Sequence, residues 1–273
     1  MLLVLDVGNT NIALGVFDGS RLQASWRLST LASRTVDEYG LLLRGLLTGN
    51  PIAPSDVAAI IVASVVPSLD AALRQALERI FGLEPLFVGP GLKTGMPVLY
   101  EPPADVGADR IVNAVAALER LGGPVIVVDF GTATTFDVVS ARGEYVGGII
   151  LPGIAIAAEA LFTRTARLPR VEIRPPQQLI GSTTVGSIQS GLYYGYLAMV
   201  DGLIERLLAE TGPNTHLLAT GGWAETLMSA SRHLKEYDPH LTLEGLRLIW
   251  EKNREPNSSK KQHSAGKMAL RKK

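Results

Sequence analysis

The chain has 273 residues, enough for one large domain or two of moderate size with a substantial core. Its 26 basic and 26 acidic side chains cancel, which argues against a global basic field and nucleic acid as the main partner; the expected ligand is small. With no cysteine it has no disulfide framework, thiolate metal site or cysteine nucleophile, in keeping with a reducing compartment.

The chain opens Met1-Leu2-Leu3-Val4-Leu5 with no basic segment ahead, and Asp6 stops the apolar run far short of a signal-peptide core, so the run reads as a strand. Ile12 to Phe17 follows as a second strand, closed by the turn Asp18-Gly19-Ser20. Thr35 to Leu47 has helical spacing, with Val36, Tyr39 and Leu43 on one side. A buried strand at Ala58 to Val65, a helix from Pro67 to about Phe81 and a short strand at Pro85 to Val88 continue an α/β alternation. Gly89 to Gly95 fits neither glycine-rich nucleotide loop pattern and is read as a connection. Asp105 to Leu121 is helical, ended by Gly122-Gly123-Pro124. Further on come strands at Val125 to Phe130 and Thr135 to Val139, a helix at Ile154 to Phe162, and an irregular Pro- and Arg-rich stretch from Thr163 to Gln178. A long helix over Thr184 to Leu208 and a strand at His216 to Ala219 complete the pattern. The longest uncharged stretches, Val57 to Leu69 and Tyr145 to Ala158, fall below the ~20 residues a membrane helix requires, so a soluble cytoplasmic protein is expected. Residues 254–273 carry seven basic side chains against Glu255 alone and are expected to be disordered.

One pattern occurs twice. Leu2-Leu3-Val4-Leu5-Asp6-Val7-Gly8-Asn9-Thr10-Asn11 returns 123 positions later as Val125-Ile126-Val127-Val128-Asp129-Phe130-Gly131-Thr132-Ala133-Thr134. Each copy is a short buried strand ending on Asp, followed by a small, hydroxyl-rich turn. Gly after Asp lets backbone approach a ligand closely, and neutral donors can hold phosphate oxygens. Two copies heading equal halves imply a duplicated domain with a cleft between, each half offering a loop to one polyphosphate. The boundaries expected are 1–119, 120–253 and a tail at 254–273.

The repeat resembles the actin, Hsp70 and sugar-kinase ATPase superfamily, whose duplicated, ribonuclease H-like α/β domains bind ATP between them. Four motifs together, Asp6 to Asn11, Gly107-Ala108-Asp109-Arg110, Asp129 to Thr134 and Gly147-Gly148-Ile149-Ile150-Leu151-Pro152-Gly153, resemble type III pantothenate kinases in order and spacing over residues 1 to 253. That resemblance implies transfer of phosphate from ATP to pantothenate, the first step of coenzyme A synthesis, by a homodimer without membrane or nucleic-acid partners. It further implies an ATP segment of Asp6, Val7, Gly8, Asn9, Thr10, Asn11, Ile12 and Ala13, an ATP contact at Thr132, and an adenosine turn at Gly221-Gly222. Asp109 is implied as the general base, with Tyr100, Gly107, Ala108, Arg110 and Thr184 on the pantothenate side, Thr184 across the dimer contact.

Each residue also has an ordinary structural reading. Asp6 alone could cap a turn; beside a phosphate loop it can hold Mg²⁺ through water, an ion that keeps several waters. Asp109 would suit the first turn of any helix by the macrodipole. Asp129 most simply terminates a strand, and the resemblance makes it the site of K⁺ or NH₄⁺, a sensible device where the loops carry no Lys or Arg to offset phosphate charge. Asp137 reads as structural, and Thr184 as a helix cap. His216, His233, His240 and His263 are scattered and suit surface or structural roles. A nucleotide-binding regulatory protein and a kinase of another small alcohol stand as alternatives, since fold does not fix substrate.

Overall fold

A computed structural model describes residues 1–254; the expectation of disorder for the basic tail falls, beyond Arg254, outside the described residues. The fold is built on two sheets of the same design. In the first, β1 (Leu2–Val7) lies between β2 (Asn11–Asp18) and β4 (Ala59–Ser64), antiparallel to the former and parallel to the latter. β3 (Arg21–Ser29) and the two-residue β5 (Leu86–Phe87) form its edges, giving the order β3-β2-β1-β4-β5. In the second, β6 (Val125–Phe130) takes the central place, with β7 (Ala133–Val139) and β8 (Tyr145–Pro152) as its antiparallel meander and β9 (His216–Thr220) parallel to it. The order β8-β7-β6-β9 repeats the first sheet without its last edge.

Period-2 alternation decides which way the repeated aspartates face. Leu3, Leu5 and Val7 of β1 bury outward under α1 (Val36–Thr48) and α2 (Pro67–Phe81), in a core with Tyr39, Leu43 and Leu73. Ile126, Val128 and Phe130 of β6 bury on the opposite outer side, under α5 (Thr184–Thr211) and α6 (Ala224–Met228). Leu2 and Val4, like Val125 and Val127, turn inward to a core shared with α3 (Ala108–Leu121) and α7 (Leu241–Arg254). Asp6 and Asp129 continue these inward rows, so each emerges where its sheet meets the middle layer.

α1 begins on a reciprocal cap, Thr35 Oγ1 accepting from the Glu38 amide at 3.3 Å while Glu38 accepts from the Thr35 amide at 2.7 Å. α3 starts later than expected: Pro103–Asp105 form a separate 3-10 turn and Gly107 is the cap, which puts Asp109 in the first helical turn. Four strands and helices were not anticipated, β3, β8, α6 and α7. α7 packs along α3 and against β1, β2 and β4, so the last helix among the described residues returns to the first sheet. α4 (Ile154–Thr163) follows the expected glycine-rich turn. None of the described helices is long and apolar enough to cross a membrane.

Candidate active site

Asp6 from β1, Asp129 from β6 and Asp109 from the first turn of α3 line one cleft of about 550 Å³ between the sheets. The three carboxylates feel one another. Burial, then the charges of Asp109 and Asp129, hold Asp6 well above the usual carboxylate range. Burial, then Asp109 and Asp137, push Asp129 up to about 7. Asp109 is raised by burial, with the Arg110 amide and guanidinium acting in the opposite direction. Such a cluster stores repulsion that a cation or a proton relieves. Oδ1 of Asp6 is buried and without a hydrogen-bond partner, an oxygen available to a hard cation or its water. Asp129 is oriented by Asn113, whose Nδ2 donates to Oδ2 at 3.0 Å, while Thr242 Oγ1 donates to the side-chain Oδ1 of Asn113 at 2.7 Å.

The two turns expected to hold phosphate meet in this cleft. The Gly8 amide closes the first turn on the Asn11 carbonyl at 3.0 Å, and the Gly131 amide closes the second on the Ala133 carbonyl at 3.0 Å. Thr10 and Thr132 then join the loops, hydroxyl to hydroxyl, at 2.6 Å. Gly221, with φ at +93°, presses its backbone against the second loop, where a Cβ would collide with Asp129 Oδ1 and the Phe130 backbone. Gly222 beside it lines the cleft.

Arg110 does not share the cleft with its neighbour Asp109. Its Nε donates to Oδ1 of buried Asp137 at 2.7 Å, and that carboxylate also accepts from Tyr145 Oη at 2.8 Å and Thr135 Oγ1 at 2.9 Å. Its Nη2 is buried with no partner and lies against Gly148, whose missing side chain gives it room. Tyr100 is half-buried close by, 3.8 Å from where Gly147 would carry a Cβ.

The structure thus gathers Asp6, Gly8, Asn9, Thr10, Asn11, Ala13, Asp109, Asp129, Thr132, Gly221 and Gly222 around one cleft. Val7 and Ile12 turn away into the outer core and can meet a ligand only through backbone. Gly107 and Ala108 open α3 next to Asp109. Thr184 is not brought to the cleft: it lines a second hollow of about 580 Å³ with Leu161, Leu192 and Gly181, sharing no lining residue with the first. His216 starts β9 and His233 meets Glu205 at 3.2 Å, both away from the cleft. Among the described residues no group of three or more His, Cys, Asp or Glu side chains is arranged to hold a metal. Sequence reasoning passed over Asn113, Thr242 and Arg27. Asn113 stands one helical turn after Asp109, a spacing that signals a shared face; Arg27 needs the strand register to be found.

Twin sheets with inward aspartates and a shared cleft define the class, the actin-like ATPase and sugar-kinase fold. Solved structures agree on that fold. A Baf family transcriptional activator from Campylobacter jejuni is similar at TM-score 0.56 and 21% identity, covering 92% of this chain and 98% of that one. The activator of 2-hydroxyisocaproyl-CoA dehydratase from Clostridium difficile, solved with ADPNP, is similar at TM-score 0.55 and 11% identity, covering 96% and 97%. The profile of type III pantothenate kinases matches residues 2–206. The type III pantothenate kinase of Koribacter versatilis is 56% identical over 273 residues, 96% of this chain and 99% of that protein. That of Myxococcus xanthus is 55% identical over 253 residues, covering 93% and 99%. The chain belongs to the type III pantothenate kinase family.

Proposed function

We propose that the cleft transfers the γ-phosphoryl group of ATP to the primary hydroxyl of pantothenate, giving 4′-phosphopantothenate and ADP, with Asp109 as general base. The observation that carries the reading is the convergence of Asp6 and Asp129, each beside its phosphate loop, on Asp109 at one cleft. The donors of the Thr10 and Thr132 loops hold the phosphates, and the Gly221-Gly222 turn, bare of side chains, receives the adenosine. The substrate hydroxyl lies between Asp109 and the γ-phosphorus. Asp109 takes the proton as the oxygen attacks in line, ADP leaves, and no covalent enzyme intermediate is formed. Because burial raises Asp109, its ionised form is a stronger base than an ordinary aspartate. On the far side of α3, the unpartnered Nη2 of Arg110 suits the pantothenate carboxylate, with Tyr100 and Gly107 along the chain between.

The oxygen-only donor set fits hard cations: Asp6 would hold Mg²⁺ through water and Asp129 would hold K⁺ or NH₄⁺. When bound, these ions supply positive charge against the triphosphate. We divide the chain at 1–119 and 120–253, with α7 lending its apolar face to the first sheet. We read the enzyme as a cytoplasmic homodimer, its pairing face on α5, where Val185 is 45% exposed and Met199 37%, and where Thr184 would reach the partner's substrate. Light scattering of the purified protein checks the pairing; a fully active monomer would exclude it. The activity is tested by ADP release with and without pantothenate. ADP release indifferent to pantothenate would overturn the reading and favour a nucleotide-binding regulator.

A further inference from the structure

We propose that Arg27 on β3 is a nucleotide-binding residue that clamps the α- and β-phosphates of ATP, the inference resting on the reading of the cleft as an ATP site. Register brings it there. Asp6 on β1 is paired with Ala13 on β2, and Ala13 with Arg27 on β3, so all three lie in one row on the inner face of the sheet. Neighbouring strands are about 4.8 Å apart, so Arg27 starts about 10 Å from Asp6, and only the Ala13 methyl group stands between them. That leaves a trough with a carboxylate at one wall and a guanidinium at the other.

The side chain reaches across to the second half. Its Nη1 lies 3.8 Å from where Gly222 would carry a Cβ, so it spans from the first sheet to the turn that follows β9. Among the described residues Arg27 is the one basic side chain lining the cleft, opposite Asp6, Asp109 and Asp129, with Glu159 a fourth carboxylate on the lining. None of the ion pairs among the described residues includes it. A guanidinium with five donors and no carboxylate in bonding contact is suited to bidentate capture of phosphate oxygens.

The repeat itself supplies an internal control. In the second sheet the matching row runs Asp129, Thr135, Ile150, so an isoleucine 61% exposed occupies the place of Arg27. The loops and aspartates are duplicated but the cation is not. One polyphosphate crossing the cleft asymmetrically calls for such a departure: its γ end sits between Thr10 and Thr132, its adenosine at Gly221-Gly222, and Arg27 lies along the path between. It also removes the premise that this cleft offsets phosphate charge with bound cations alone.

The test measures binding of ADP, AMP and adenosine by calorimetry to the wild-type protein and to Arg27→Ala, Arg27→Gln and Arg27→Lys, with thermal melting as a check of folding. Arg27→Ala and Arg27→Gln should lose roughly 10–100-fold in ADP affinity, the scale of a charged hydrogen-bonded contact, with less effect on AMP and less than about 2-fold on adenosine. Arg27→Lys should recover part of the loss. In steady state the KM for ATP should rise while the KM for pantothenate at saturating ATP stays put. ADP binding unchanged in Arg27→Ala, or adenosine weakened as much as ADP in any variant, overturns the proposal. Should the wild-type protein bind ADP through Arg27 yet never phosphorylate pantothenate, the activity reading falls and the phosphate role of Arg27 stands.

Discussion

Arg110 Nε donates to Asp137 Oδ1 at 2.7 Å, an ion pair with side-chain exposures of 9% and 0% that ties the first turn of α3 to β7. It holds the guanidinium facing away from Asp109, so adjacent residues in the chain serve two sides of the helix. Breaking a buried pair from one side leaves the other charge without a partner. Asp137→Ala should therefore cost about 3–5 kcal/mol of stability, measured by urea denaturation. It should also weaken pantothenate, since Arg110 would lose the group that aims Nη2. A loss under about 1 kcal/mol, the range of surface pairs, would mean that the pair is solvated.

Asp109→Asn keeps the shape of the side chain and removes the proposed base. Turnover should fall roughly 10²–10⁴-fold with ADP binding intact. Since burial raises Asp109 and the acid must be ionised to accept a proton, wild-type kcat/KM should climb with pH along a limb shifted above the ordinary carboxylate range, and that limb should vanish in the variant. A pH–rate profile of both proteins decides it. An unchanged limb in Asp109→Asn assigns the titration elsewhere.

Asp129 makes stability depend on pH in an unusual direction. Its folded pKa of about 7 lies above the ordinary 3.8, so the folded chain holds more protons than the unfolded chain between those values. Stability from this group is full below the lower value and is lost as pH rises through the upper one. In buffer free of metal ions and nucleotide, Tm should fall between about pH 5 and 8, and Asp129→Asn should flatten the slope. A Tm that rises over this window in the wild-type protein and is unaffected by the substitution would contradict the assignment.

Asn113 favours ionised Asp129 by donating to it. Asn113→Ala removes that donor, so the carboxyl should bind protons more tightly and K⁺ more weakly, with Thr242→Val acting in the same direction but less. A titration of ADP-release rate against K⁺ in a Tris background should show half-activation moving roughly 10-fold higher in Asn113→Ala, the worth of one charged hydrogen bond. Full wild-type activity with Na⁺ as the sole monovalent cation would remove K⁺ from the site altogether.

The parts of the site legible in the sequence were those whose signal is local. Asp6 and Asp129 each end a short apolar strand before a glycine turn, and the repetition of that unit carried both the two-sheet architecture and the meeting of the two turns at one cleft. The parts that stayed hidden depend on contacts between distant segments. Arg27 lies in a segment to which the sequence assigned no element, and its place emerges only when β1, β2 and β3 are set in register over Ala13. Thr242 meets Asn113 only because α7 folds back on α3. The partnership of Arg110 with Asp137 joins residues 27 positions apart, and nothing in either neighbourhood announces it. Asn113 was accessible by helical spacing from Asp109.

The return of α7 to the first sheet has a consequence for the order in which the molecule can take shape during synthesis. β1 leaves the ribosome before the other described strands, yet Leu2, Val4 and Phe17 bury their inner side in a core that includes Leu241, Leu246 and Ile249. A nascent chain ending before residue 241 can seal the outer side of that sheet with α1 and α2 but leaves part of the inner side wet. An early and a late segment of the described chain are thus stitched into one core, and the cleft that Asp6 and Asp129 share acquires its Thr242 support only after α7 has been synthesised.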